Sequence, residues 1–127
     1  MKKIIIALIS IIIVIIASIA IFRWTEQRAI QRKIAYGNEI IQHIEQYVAE
    51  NHTLPDDLAQ IGLNPQIGFN YCDTEYTIYK GVDYWYLEDG RGEFYLYFAL
   101  NAEENMIYYS ADKDWSDDYL LMLYECE

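Results

Sequence analysis

The N-terminal half of the chain has almost no helix-breaking residues. The first of its two prolines is Pro55, and its first glycine is Gly37. Because proline and glycine are the residues that most often interrupt a helix, nothing stops a helix between Lys2 and Glu50. The sequence therefore predicts one long N-terminal helix that is gently kinked at most.

Basic residues are scarce beyond this helix. From Gly37 onward, nineteen Asp or Glu residues outnumber three Lys or Arg residues, a formal charge of −16. Since Lys80, Arg91 and Lys113 can hardly form a phosphate-binding patch, we expect no nucleic-acid binding. Such acidity suits a basic protein or a cation as partner, although solubility alone would also explain it.

The sequence also lacks common signatures of catalysis. It contains no phosphate-cradling glycine motif and no nucleophile elbow. His43 and His52 do not have the spacing of a helical zinc pair, and we interpret both as surface histidines. We therefore expect no enzyme activity, no small-molecule substrate and, calcium apart, no cofactor.

Only two cysteines are present, Cys72 and Cys126. An even count would allow one disulfide in an oxidising compartment, with a stabilisation of about 2–4 kcal/mol. The alternative is two reduced thiols. Their acidic neighbours disfavour the thiolate, so we do not expect thiol catalysis.

The longest uncharged segment runs from Ile4 to Phe22 and includes eleven isoleucines. As a helix this segment would span about 29 Å, close to the roughly 30 Å hydrocarbon core of a bilayer. Trp24 follows where an interfacial aromatic belt would lie. We predict a membrane anchor at residues 1–22 and a single small domain at residues 23–127.

Two properties of this anchor have competing interpretations. Ser18 and Ala20 resemble a signal-peptide cleavage site, but the apolar run exceeds a signal-peptide core, which favours retention. The basic residues on either side of the run do not decide its orientation. Since a short basic N-terminus usually stays cytoplasmic, we expect the domain outside the cytoplasm.

Beyond the anchor, apolar residues first follow a helical period. They recur at spacings of four, seven, three and four, as Ile30, Ile34, Ile41, Ile44 and Val48. Pro55 prevents the helix from continuing, and a short helix closed by Gly62 is expected to follow.

From Ile67 onward the apolar period changes to two, which is typical of β-strands. The alternation predicts strands at residues 76–79, 84–88, 94–100 and 106–110, with a strand or short helix at 119–124. Asp89-Gly90 is a strong hairpin signal. The sequence therefore predicts an α+β domain in which the long helix packs on an antiparallel meander.

Three local segments match one known architecture. Residues 44–47 and 54–58 look like a helix end followed by a proline-containing turn and a short helical segment. Residues 108–112 with Trp115 look like a late strand and a polar loop. With the long helix and the meander, they resemble the type IV pilin and pseudopilin family. The resemblance implies a non-enzymatic bacterial inner-membrane protein that contacts like subunits in a secretion or pilus-type assembly.

The N-terminus departs from the family pattern. Pilin precursors carry a leader that ends in glycine and a glutamate in the first turns of the apolar helix, whereas here the first acid is Glu26. We therefore expect neither prepilin-peptidase cleavage nor glutamate-dependent docking into filaments. The alternative function is an anchored inhibitor or immunity protein that neutralises a basic partner.

One acidic cluster has oxygen ligands at spacings that suit calcium. It consists of Asp112, Asp114, Asp117 and Asp118. The spacing is not that of an EF-hand. A looser calcium loop, as in some pseudopilins, competes with a solvated acidic turn.

Tyrosines are concentrated late in the chain, with eleven of thirteen between Tyr71 and Tyr124. On the predicted strands they occupy both alternation phases, so some would face away from the helix. One interpretation is a half-wet sheet face, since tyrosine tolerates exposure. The other is a protein-binding face rimmed by acids, with four candidate residues: Tyr84, Tyr86, Tyr95 and Tyr97.

Overall fold

The computed structural model describes residues 1–67, 75–101 and 104–118, and it confirms the predicted α+β fold. Its elements are helix α1 (Lys2–Asn51), a 3₁₀ helix (Leu58–Ile61), and strands β1 (Pro65–Ile67), β2 (Glu75–Tyr79), β3 (Val82–Glu88), β4 (Phe94–Ala99), β5 (Asn105–Tyr109) and β6 (Asp114–Asp118). The chain divides into two compact units, Met1–Arg32 and Lys33–Glu127.

The first unit is the N-terminal part of α1. Its large apolar side chains are exposed, among them Ile4 (64%), Phe22 (69%) and Trp24 (57%). The helix is long and apolar enough to be a membrane span or a signal sequence. An apolar helical surface of this extent is stable in hydrocarbon, where the helix satisfies its own backbone hydrogen bonds.

In the second unit, the remainder of α1 packs on the sheet. Its buried residues are Gly37, Ile40, Ile41 and Ile44, and Val48 is partly buried. The predicted apolar stripe included Ile41 and Ile44 but missed Ile40, which is fully buried. The stripe is therefore wider than predicted, and one turn before Ile40 and Ile41 the sheet residues Trp115 and Tyr84 lie close to Gly37.

The sheet is a meander in which each strand pairs antiparallel with the next, in the order β1 to β6. Lys80 and Gly81, with φ of 50° and 80°, form the two-residue turn between β2 and β3. Asp89-Gly90 begins a longer loop between β3 and β4. The Asp89 carboxylate accepts backbone N–H groups from Arg91 at 2.7 Å and Glu93 at 3.1 Å, which orders this loop.

The short helix predicted after α1 is present, as a 3₁₀ helix closed by Gly62. Asp57 caps the 3₁₀ helix by accepting the Gln60 N–H at 3.2 Å, and Gly62 closes it in the left-handed conformation, with φ of 84°. Leu58 of this short helix is fully buried in the core. The predicted element at 119–124 lies outside the described residues.

One face of the sheet forms the core with α1. Its buried aromatic and aliphatic residues are Tyr84, Tyr86, Phe94, Leu96, Phe98 and Tyr108. Two tyrosine hydroxyls of β3 connect this face to the backbone: Tyr84 donates to the Lys33 carbonyl, and Tyr86 donates to the Pro55 carbonyl at 3.1 Å. The core is therefore aromatic, and these two tyrosine hydroxyls are hydrogen-bonded to backbone carbonyls of α1 and of the segment after it.

Candidate protein-binding surface

The face of the sheet opposite α1 carries a continuous row of aromatic and aliphatic side chains. The antiparallel register places Trp85 of β3 beside Tyr76 of β2 and Tyr97 of β4. It also places Tyr97 beside Ile107, and Tyr95 beside Tyr109. Because paired residues point to the same side of a sheet, these side chains share one surface. We call this surface, together with Ile78, the outer face.

The rings of the outer face stack on one another. Trp85 and Tyr97 are nearly parallel at 16°, with centroids 5.6 Å apart, and Tyr76 lies 5.7 Å from Trp85. Tyr95 and Tyr109 stack more closely, at 4.5 Å and 14°. Such contacts stabilise neighbouring strands by about 0.2–1 kcal/mol per pair, so part of this surface serves the sheet itself.

Exposure varies across the outer face. Tyr97 is 5% exposed and Ile107 is 4% exposed, whereas Ile78 of β2 is 51% exposed. Among the described residues, Ile78 is the one large apolar side chain beyond Trp24 that is this exposed. The accessible apolar part of the outer face is therefore at β2, with Tyr95 and Tyr109 half-buried.

The indole N–H of Trp85 is buried without a hydrogen-bond acceptor among the described residues. A buried N–H group without an acceptor costs about 1–3 kcal/mol.

Acidic side chains border the outer face on two strands and one loop. Asp83 is exposed and pairs with Ile78, and Asp114 is exposed and pairs with Tyr109. Asp89, in the β3–β4 loop, accepts the Tyr109 hydroxyl at 2.9 Å. The combination of apolar centre and acidic border favours a partner with apolar and basic groups.

The Asp89–Tyr109 contact changes the acidity of both groups. The hydrogen bond to Asp89, and then desolvation, raise the pKa of Tyr109 to about 12. Desolvation raises the pKa of Asp89, but hydrogen bonds from the Arg91 N–H, the Tyr109 hydroxyl and the Glu93 N–H outweigh it and lower the pKa overall. Asp89 therefore stays charged at neutral pH.

The four predicted interface tyrosines do not form one surface. Tyr84 and Tyr86 belong to the core, at 0% and 4% exposure, and their assignment to an interface is wrong. Their alternation phase faces α1, because Tyr84 pairs with Thr77, which is fully buried. Tyr95 and Tyr97 are on the outer face, although Tyr97 is almost covered.

Sequence reasoning missed Tyr76, Ile78, Trp85 and Tyr109 as members of the outer face. Their alternation was visible, but the register between strands was not. The Lys80-Gly81 turn was the available signal, because a two-residue turn sets the pairing of every residue in β2 and β3.

Most of the acidic cluster lies in a strand, whereas the sequence predicts a solvated acidic turn or a looser calcium loop. Asp114 and Asp117 lie in β6, and Asp112 lies in the preceding turn. By register Asp114 is on the outer face with Tyr109, while Asp117 is on the opposite face with Met106. In the part of the chain that the structure describes, which omits the Asp118 side chain, no three His, Cys, Asp or Glu residues group as metal ligands.

Other candidate residues are dispersed. His43 and His52 are both exposed. A groove of about 330 Å³ between the end of α1 and the β3–β4 loop is lined by Val48, His52, Thr53, Leu54, Glu88, Gly90 and Gly92. Cys72 and Cys126, the predicted disulfide partners, lie outside the described residues.

Comparisons of the chain with protein-family models, with curated proteins and with solved structures found no match. The chemistry of the outer face is therefore the basis for interpreting it. Stacked aromatic rings, one well-exposed isoleucine and a border of carboxylates are chemically suited to contact with apolar and cationic groups.

Proposed function

We propose that this chain is a membrane-anchored, non-enzymatic protein that binds a basic partner protein through the outer face. The observation that carries the proposal is the exposed Ile78 beside the exposed Asp83, next to the aromatic rows of the same face. Ile78 offers an apolar contact that a partner can bury, and the neighbouring carboxylate of Asp83 favours a partner with positive charge.

Charge supports a basic partner. The chain from Gly37 onward has a formal charge of −16, so a basic protein would be attracted before contact and an acidic one repelled. Asp83 and Asp114 would lie at the rim of such a contact, where charges increase the association rate. If the partner is a toxin, the chain acts as an anchored inhibitor or immunity protein.

In this proposal the apolar part of α1 remains as a single-pass anchor in the bacterial inner membrane, with the domain outside the cytoplasm. Its support is the length and apolarity of the helix, together with the short basic N-terminus.

A second candidate function is that of a subunit in a secretion or pilus-type assembly. The favouring observation is that α1 runs uninterrupted from the apolar segment to Asn51 and that its later part packs on an antiparallel meander. This is the architecture of the pilin-like resemblance. It predicts contacts between copies along the apolar helix and not at the outer face.

The experiment introduces a photocrosslinking amino acid into the full-length chain in its own host cells, in place of Ile78, of Gln42 or of Ile12. Gln42 is the control because it is exposed on α1, away from the sheet face. A basic protein crosslinked from position 78 alone is expected. Adducts between copies, formed from Ile12 in the apolar segment, would support the assembly instead.

Binding of the crosslinked protein to the purified chain is then measured directly. We expect Ile78→Asp to weaken it at least about tenfold, since a buried charge replaces an apolar contact. Gln42→Asp adds the same charge elsewhere and should leave binding unchanged. The double variant Asp83→Asn/Asp114→Asn should bind the partner more weakly, and its binding should depend less on salt concentration. The control Glu45→Gln/Glu50→Gln removes two charges from α1 and should change neither property. Equal effects of both pairs would contradict the outer face as the contact.

A further inference from the structure

Helix α1 carries a basic surface directly after its apolar segment. Arg28 and Arg32 are exposed, and the one acid between Arg23 and Asn38 is Glu26. At about 100° per residue, Trp24, Arg28 and Arg32 lie within an arc of about 80°, and Glu26 lies about 160° from Arg28. We call these three residues the basic stripe.

The Arg28 side chain lies back along the helix toward its N-terminus. Its guanidinium carbon is 4.1 Å from the centroid of the Trp24 ring, one turn earlier. This direction follows from helix geometry, because Cα–Cβ bonds tilt toward the N-terminus. Here the N-terminal direction leads to the apolar segment, so the charge of Arg28 is held at the level of Trp24.

The level of Trp24 corresponds to the headgroup layer of a bilayer that surrounds the apolar segment. At about 1.5 Å per residue, Trp24 is about 3 Å beyond Phe22, and the headgroup layer extends about 5–8 Å beyond the hydrocarbon on each side. Arg32, one turn further along, can reach the outer part of this layer if its side chain takes the same direction.

The guanidinium groups of the stripe have no carboxylate partner within the described ranges. The ion pair found there joins Lys80 to Glu39 in the second unit. Arg28 instead contacts Trp24 by a cation–π interaction, which orients the guanidinium but leaves its N–H donors available.

We propose that the basic stripe binds the phosphate groups of anionic phospholipids at the surface of the bilayer. The proposal rests on the membrane insertion proposed above. Guanidinium groups bind phosphate oxygens in a bidentate manner, and each basic residue near an anionic surface contributes about fivefold in affinity. Trp24 positions Arg28 at the correct depth. The stripe thereby attracts the anionic surface that the acidic remainder of the chain repels.

The test uses the full-length chain in phosphatidylcholine bilayers that contain spin-labelled phosphatidylglycerol or spin-labelled phosphatidylcholine. Electron paramagnetic resonance measures the fraction of each lipid that the protein immobilises. We expect the wild-type chain to prefer phosphatidylglycerol, and Arg28→Gln/Arg32→Gln to lower this preference by at least about fivefold. The preference of the wild-type chain should also fall at high ionic strength.

The control variant is Arg91→Gln/Lys113→Gln, which removes two exposed positive charges from the second unit. It should keep the wild-type preference. An undiminished preference in Arg28→Gln/Arg32→Gln would overturn the proposal. A variant that keeps its lipid preference but loses self-association would also overturn the proposal. In that case the stripe would bind the acidic part of a second copy.

Extraction with alkaline carbonate separates this proposal from the proposed membrane insertion. A chain that stays in the bilayer but shows no lipid preference contradicts the stripe alone. A chain that carbonate releases from the bilayer contradicts the insertion itself, and the lipid-binding role with it.

Discussion

Trp115 of β6 packs directly on Gly37 of α1, so closely that a Cβ atom at position 37 would lie 2.6 Å from Trp115 Cζ2. The indole ring is held in place from three sides. Its centroid is 5.6 Å from those of Phe98 and Tyr108, and its Nε1 donates to Asn38 Oδ1 at 2.9 Å. Gly37 therefore allows the last described strand to reach the helix.

Replacement of Gly37 by alanine should destabilise the domain. Alanine favours a helix over glycine by about 1 kcal/mol, but an overpacked core costs typically about 1–3 kcal/mol. Since the Trp115 ring cannot move without losing its contacts, we expect overpacking to dominate. Thermal unfolding of the full-length chain in detergent, followed by near-ultraviolet circular dichroism, should show a lower Tm.

Two further variants test this explanation. Trp115→Phe replaces the indole by a smaller ring, so Gly37→Ala should lose less unfolding free energy in that background. A double-mutant cycle measures the difference. Ala35→Gly, at an exposed position of the same helix, calibrates helix propensity without a packing change. A higher Tm for Gly37→Ala would mean that the contact with Trp115 is not as close as described.

Replacement of Tyr86 by phenylalanine should cost about 1 kcal/mol of unfolding free energy. Tyr86 is 4% exposed, and its hydroxyl donates to the Pro55 carbonyl at 3.1 Å, connecting β3 to the segment after α1. The matched control is Tyr47→Phe, at a half-buried position on α1. Denaturant unfolding measures both variants, and equal losses would remove the special role of the Tyr86 hydroxyl.

Glu39 should make the stability of the domain pH-dependent. Its carboxylate accepts the Tyr79 hydroxyl at 2.5 Å and forms an ion pair with Lys80 at 2.9 Å. The hydrogen bond from Tyr79, followed by that from Lys80, lowers the pKa of Glu39 below its ordinary value of 4.5. The folded state therefore gains stability above about pH 4.5 and loses it as the pH falls through the lowered pKa.

The corresponding variant is Glu39→Gln. At pH 7 it should be slightly less stable than the wild type, by less than about 5 °C in Tm, because all the charges involved are exposed. Below about pH 4 the difference should narrow as Glu39 of the wild type becomes protonated. Glu50→Gln removes one charge from the same helix and serves as control. A constant difference across this range would contradict the coupling.

The apolar segment of α1 should remain on the mature protein. We expect the chain to resist carbonate extraction, and mass spectrometry of the native protein to recover a mass that includes the whole Ile4–Phe22 run. Ser18→Phe/Ala20→Phe blocks cleavage by a signal peptidase and should change the recovered mass only by the two substitutions themselves. A wild-type chain that begins after Ala20 and leaves the membrane would identify the segment as a signal sequence.

Local patterns predicted the elements of the fold well. The absence of proline before Pro55 predicts a long helix, and in the structure this helix ends at Asn51. Gly62 closes the 3₁₀ helix as expected. These features depend on neighbours in the sequence, such as the missing N–H of proline and the left-handed conformation of glycine.

Predictions that needed contacts between distant residues were less successful. The sequence suggests Tyr84 and Tyr86 as interface residues, whereas the structure has both in the core. It suggests a turn or a calcium loop for the cluster of Asp112, Asp114, Asp117 and Asp118, whereas Asp114–Asp118 form strand β6. Tyrosine suits a buried or an exposed position, so an alternating strand rich in tyrosine does not reveal which phase is covered. The pairing of β6 with β5 depends on neighbouring strands and on Trp115. The acidic sequence of this segment is typical of a solvated turn and does not indicate a strand.

The sequence by itself determined that the chain has a long apolar helix and an antiparallel α+β domain, because uncharged length and hydrophobic period are local properties. Only the tertiary structure decided which tyrosines are covered by α1 and which share the outer face with Trp85. The strand register sets that division, and the register depends on turn geometry and on the burial of one whole face. The close contact of Gly37 with Trp115 likewise exists only when residues distant in sequence pack together.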